Sequence, residues 1–143
     1  MQAKTYLQKA KIINSFIKAR EDELVVLRLR AESIGSGISS EDKVQTTHNN
    51  DRLEKDVIAI VECEEKIKKA VNDLRKQHIE VVEKIDAIEN DDLRLVLMLR
   101  YLNLKEWEFI AVEMNYSYSH TLFLHKRALK VFAEVHKDFL SQK

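Results

Sequence analysis

The sequence predicts an all-α protein, and three observations carry that reading. Proline is absent and glycine occurs only at Gly35 and Gly37, whereas a β-rich chain needs turns built on those residues. Charged residues make up 34% of the chain and apolar residues 45%, the mixture that long amphipathic helices use. Mostly apolar residues recur at alternating spacings of four and three from Tyr6 to Ile34 and again from Leu53 to Ile88, which is a helical period and not the period of two of a strand. A length of 143 residues suits a long antiparallel helical hairpin over 1–90, read as a dimerisation arm, and a smaller helical unit over 91–143.

The first helix is expected over about 4–34. Tyr6, Ala10, Ile13, Ile17, Arg20, Leu24, Leu27, Ala31 and Ile34 form its coiled-coil seam. Gly35 to Ser40, with two glycines and three serines, interrupts the helix because these residues free the backbone or compete for its hydrogen bonds. A polar loop then runs to about residue 50. Asp51 and Glu54 have the spacing of a capping box and mark the start of the second helix. Its seam is Leu53, Val57, Ile60, Glu64, Ile67, Val71, Leu74, His78, Val81, Ile85 and Ile88. In an antiparallel pair, facing residue numbers sum to a constant. A sum of about 84–87 brings Arg20 near Glu64 and predicts an Arg20–Glu64 pair that fixes register; the alternative is an Arg20 head that reaches solvent past the seam. Ile12, Phe16, Val25, Val26, Leu29, Ile58, Val61, Ile79 and Val82 lie off the seam. They need cover, either from the C-terminal part or from a second hairpin; a homodimer forming a four-helix bundle is the favoured cover, and the alternative is that they widen the core stripe of a monomer.

Beyond Asp92 the apolar segments shorten. Asp92 to Tyr101 reads as a short buried helix. Asn103 with Glu106 offers a second capping box for a helix over about 104–114, which presents Trp107, Ile110, Ala111 and Met114 on one face. Asn115 suits the left-handed residue that ends a helix, and Ser117 caps the next one, expected over about 118–140. Thr121, Leu124, Ala128, Val131, Val135 and Phe139 are its expected inner face. Two short helices, a tight turn and a capped helix follow the helix-turn-helix plan. Ala111 permits a close crossing, and Tyr116 and Leu124 are expected to lock it.

The outer side of the last helix admits two readings. As a DNA reader, Tyr118, Ser119, His120, Leu122 and Phe123 would approach base edges. Lys126, Arg127 and Lys130, with Lys105 at the preceding helix start, would meet phosphates. As a protein-binding module, Leu122 and Phe123 would instead form an apolar contact. Net charge is zero. Residues 1–50 carry +2, 51–91 carry −4 and 92–143 carry +2, so the C-terminal unit is only mildly basic.

The motifs Leu99-Arg100-Tyr101, Trp107-Glu108-Phe109-Ile110-Ala111, Met114-Asn115-Tyr116-Ser117 and His125-Lys126-Arg127-Ala128-Leu129 resemble the region-4 helix-turn-helix of bacterial sigma factors. They are more similar still to a family of small phage and prophage proteins from Gram-positive bacteria. These carry an N-terminal helical hairpin and are related to late-gene transcription regulators of the ArpU and RinA type. The resemblance implies a phage-type regulator that binds double-stranded DNA. Asn115 replaces the turn glycine of that pattern. Tyr118, Ser119, His120, Leu122 and Phe123 stand where sigma factors carry mostly charged or amide side chains. The alternative partner is a host or phage protein such as RNA polymerase.

An enzyme is not expected. No glycine-rich phosphate loop is present, and His48, His78, His120, His125 and His136 show no metal-ligand spacing, so neither cofactor nor metal is expected. Cys63, among Glu62, Glu64 and Glu65, reads as a reduced structural thiol. Lys4, Lys9 and Lys11 interrupt any leader segment. The apolar run Leu95 to Leu99, which no other wholly apolar run exceeds, is far short of the roughly 20 residues that span a bilayer. The expectation is a soluble protein of the bacterial cytoplasm with no membrane contact.

Overall fold

The structure, a computed structural model, describes residues 1–36 and 46–143. Its helices are α1 (Ala3–Ser36), α2 (Thr46–Asp86), α3 (Asp91–Leu97), α4 (Trp107–Met114), α5 (Tyr118–Val135) and α6 (Lys137–Ser141), with a π-helical turn, Met98–Leu102, continuing α3. No strand occurs among the described residues, so the protein is all-α. No helix among them is long and apolar enough to cross a membrane. Residues 37–45 of the expected loop lie outside the described residues.

Two compact units divide the chain. One joins Met1–Phe16 to Leu74–Lys143, and the other is Ile17–Asp73. The expected boundary at 90/91 is therefore not where the units separate. The physical reason is a shared core: Leu7, Ala10, Val81 and Ile85 pack with Val96, Leu97, Ile110 and Phe132. Three short helices cannot close a core by themselves, and the ends of α1 and α2 complete it. Asn14 is buried there, its Nδ2 donating to the Tyr101 carbonyl at 3.2 Å. Phe132, fully buried, stacks on Tyr6 with ring centroids 6.0 Å apart. The His136 ring nitrogen Nε2 donates to the Lys84 carbonyl at 2.6 Å.

In Ile17–Asp73, α2 covers the positions its spacing predicts: Leu53, Ile60, Glu64, Ile67 and Val71 are buried or half-buried. Val57 is the exception, 43% exposed. On α1 the inward positions are Ile17, Glu21, Leu24, Leu27 and Ala31, and Arg20 is exposed. The Arg20–Glu64 pair does not form. Arg20 binds Glu23 on its own helix at 2.8 Å, while Glu64 accepts Lys68 at 3.1 Å and Arg28 at 3.4 Å. The inward line on α1 keeps the predicted Ile17, Leu24, Leu27 and Ala31 but steps to Asn14 and Glu21 between them, which leaves Arg20 in water. Lys68 first, then Arg28, hold the Glu64 carboxyl below its usual range.

Three helix starts also differ from expectation. Helix α2 begins at Thr46, so Asp51 lies inside it and is not its cap. Helix α3 begins at Asp91 and is capped by Asn90, whose Oδ1 accepts the Leu93 amide at 3.1 Å. Arg94 pairs with Asp91 and donates to the Ile88 carbonyl, tying down the preceding turn. Asn103 does not cap α4. The π-helical turn runs on through it: the Asn103 amide reaches the Met98 carbonyl and the Lys105 amide the Leu99 carbonyl. Leu104 closes this wide turn at φ 59°, and α4 starts only at Trp107, after an extended Glu106.

Phe132 fills the centre of the core, so Phe132→Ala leaves a cavity. The expected loss is about 3–5 kcal/mol of unfolding free energy, read from the urea midpoint at an unchanged denaturant slope.

Candidate functional site

Helix α4 ends in a Schellman motif. The Tyr116 amide donates to the Ala111 carbonyl at 3.0 Å and the Asn115 amide to the Val112 carbonyl at 3.2 Å. Asn115 sits at φ 56°, ψ 39°, a left-handed geometry that asparagine accepts at lower cost than most residues. Two residues later the Ser117 Oγ accepts the His120 amide at 3.1 Å and caps α5. The turn between α4 and α5 is thus fixed by local chemistry at both ends.

Ile110, Ala111, Leu124 and Ala128 are buried at the α4–α5 crossing, with Trp107 and Met114 partly buried against the core. Tyr116 is not part of that core. It is exposed, and its hydroxyl donates to Asp92 Oδ2 at 2.6 Å. It therefore fastens the turn to α3 by a hydrogen bond and not by apolar packing. The inner face of α5 is Thr121, Leu124, Ala128 and Phe132, whereas Val135 is exposed. Val135 is the last residue of α5, where the helix leaves the core.

Behind α5 the sequence motifs converge on one cluster. The Arg100 guanidinium lies 4.6 Å from the Trp107 ring centre and donates to the Lys105 carbonyl at 3.0 Å. Trp107 meets the His125 ring edge-on at 4.6 Å. Tyr101 Oη and His125 Nε2 share a hydrogen bond of 2.8 Å. Burial first, then the charges of Lys4 and Arg100, push His125 down to about 4. His125 is thus a neutral structural ring. Sequence reasoning gave Tyr101, His125 and Asp92 no site role. The only signal for Tyr101 and His125 was membership of the quoted motifs, which does not reveal that they touch, and Asp92 lies outside those motifs.

The outward side of α5 carries the predicted contact residues. Tyr118, Ser119, His120, Phe123, Lys126, Arg127 and Lys130 are all exposed, and Leu122 is half-buried. Phe123, Lys126, Arg127 and Lys130 line one open groove, with Val131 and Glu134. The His120 ring stands 4.7 Å from Tyr116 and 6.0 Å from Phe123, giving an exposed aromatic ladder beside three cations. Lys105 sits in the loop before α4 with its ammonium 4.7 Å from the Phe109 ring centre. No group of three or more His, Cys, Asp or Glu among the described residues is placed to hold a metal. Cations and ring faces together suit a polyanion that also offers flat or apolar surface.

Residues 33–133 match the family described as Protein of unknown function (DUF1492), and the chain belongs to that family. No curated protein and no solved structure matches it.

His125 gives the unit a defined acid limit. Unfolded histidine titrates near 6.5, so between about 6.5 and about 4 the unfolded chain binds the proton that the folded chain refuses. Its contribution is complete above pH 6.5 and is lost as pH falls through that window. His125→Gln should lower the melting temperature at pH 7.5, yet show a smaller further fall between pH 6.5 and 4 than wild type. Parallel pH profiles for the two proteins would contradict the assignment.

Proposed function

We propose that this DUF1492 chain is a DNA-binding transcriptional regulator, of the phage and prophage kind its motifs resemble, with α5 as the recognition helix. One observation carries the reading. Helix α5 is anchored along its inner face and capped by Ser117, while Ser119, Phe123, Lys126 and Lys130 are left to solvent along the other side. That is the arrangement a helix needs to enter a major groove: a rigid back, and a front with no packing duty. Ser119 and His120 offer hydrogen bonds to base edges near the helix start. Phe123, with Leu122 at its edge, offers apolar contact to a thymine methyl. Lys126, Arg127 and Lys130 bind phosphates, and Lys105 adds a cation from the preceding loop. Two copies acting together double these contacts, and the bacterial cytoplasm is where such a protein would work.

A second reading draws on a different observation. Phe109, Val112 and Phe123 are exposed, Val112 at 78%. Apolar side chains left to water on α4 and α5 suit a protein partner, such as RNA polymerase.

Selection from a random duplex pool, followed by binding titrations from low to moderate salt, separates the two. The DNA reading expects an enriched consensus and a steep fall of affinity with salt. Lys126→Ala/Arg127→Ala should flatten the logarithmic salt slope by roughly 2 per bound copy. No enrichment, or affinity indifferent to salt and to both cations, would sink the regulator reading in favour of the protein-binding one.

A further inference from the structure

Ile17–Asp73 is poorly closed for its size. Among its described residues only Ile60, Ile67 and Val71 are fully buried apolar side chains. Six others remain 43–63% exposed: Val25, Val26 and Leu29 on α1, and Val57, Ile58 and Val61 on α2. Apart from Val26, their placement is not scattered. Successive residues turn by about 100° around a helix. On that count Val25 and Leu29 flank the α1 seam on one side, and Val57 and Val61 flank the α2 seam on the same side, with Ile58 further out on that side and Val26 about 160° from the α1 seam, on the back of the helix. The opposite side is a cleft lined by Arg30, Asp56, Ala59 and Cys63, and none of the six lines it.

The two halves of the patch also lie at one level. Arg28 meets Glu64 across the helices, and Leu27 and Ile60 line one cleft. Residues 25–29 therefore run beside 57–61. The charges at the patch edge, Arg28, Glu64 and Lys68, already satisfy one another, so covering the patch strands no lone ion among them.

We infer that this face is the contact surface for a second copy of the chain, packed about a two-fold axis parallel to α1 and α2. That operation lays the α1 half of one patch on the α2 half of the other, in the order and at the level the antiparallel pairing already sets. Apolar residues then meet apolar residues without offset, and the result is a four-helix arrangement. The area suits a dimer. Five half-exposed Val, Leu and Ile side chains leave roughly 450 Å² per copy, so pairing removes roughly 900 Å², close to the roughly 1,000 Å² at which specific interfaces begin, and one copy's patch falls within the roughly 300–600 Å² of a monomer's largest patch, which is often functional. The inference does not depend on the nucleic-acid reading of α5.

The test is sedimentation equilibrium of the full chain over about 1–100 μM, with cross-linking beside it. Wild type should run at twice the 16.8 kDa chain mass. Leu29→Glu/Val61→Glu should weaken the dimer by at least about 100-fold, while Ile12→Glu/Ile79→Glu, off the patch, should leave it intact. To guard against a misfolded variant, Leu29→Cys chains are mixed with Ile58→Cys chains, both in a Cys63→Ser background, and oxidised. The mixed disulfide should exceed either self-linked product. A monomer at every concentration overturns the proposal, as does a dimer unmoved by Leu29→Glu/Val61→Glu, or an absence of the mixed disulfide. DNA retention by a folded, monomeric variant reports on α5 separately.

Discussion

The unit that carries α5 depends on keeping one imidazole uncharged. His125 sits between Tyr101 and Trp107, with Arg100 across the indole. A neutral ring can exchange a hydrogen bond with the Tyr101 hydroxyl and present its edge to the indole. A protonated ring would add a cation to a buried site that already feels Lys4 and Arg100. From this cluster the order spreads. Arg100 fixes the loop through the Lys105 carbonyl and Glu106. Trp107 then starts α4 in a set direction, and His125 locks α5 from behind. The outward face of α5 is rigid because its back is over-determined.

The same logic explains two backbone positions that cost energy. Leu104 and Asn115 both hold positive φ without being glycine. Each closes a helix in the least possible chain, one after the π-helical turn and one after α4. Tight closures keep α3, α4 and α5 near enough to share Leu97, Ile110 and Ala128 in one core. Tyr116 then joins the second closure to the start of α3 through Asp92. Local strain is offset by packing that longer, relaxed loops would not permit.

Much of this was legible in the sequence, and the failures have a common physical form. Helix content, the α2 seam, the Asn115 turn and the Ser117 cap follow from nearest-neighbour chemistry, which a linear pattern records. Arg20–Glu64 failed because the inward line on α1 passes through Glu21 and not Arg20, so Arg20 pairs with Glu23 on its own helix while Glu64 takes Lys68 and Arg28. Asn103 failed as a cap because the preceding helix widened into a π turn and used it first. Val135 was assigned inward by helical phase, but α5 ends at that residue and leaves it exposed, with Phe132 as the last fully buried side chain of the helix. Of the site, the outward residues of α5 were readable because exposure follows helical phase. The cluster behind them was not, because nothing in spacing says that Tyr101, Trp107 and His125 meet.

As the DNA reader proposed for it, the α5 face has few charges, and that bears on how it would work. Three cations in one groove allow only a few phosphate contacts, and each releases a modest share of counterion free energy. One copy would bind weakly and discriminate chiefly through Ser119, His120 and the ring of Phe123. Weak single contacts become specific when two are held at a fixed spacing, because the second then binds at high effective concentration. A chain with a sparse α5 face and an uncovered apolar face on Ile17–Asp73 has two incomplete surfaces. Pairing two copies through the second is the simplest way to make the first sufficient.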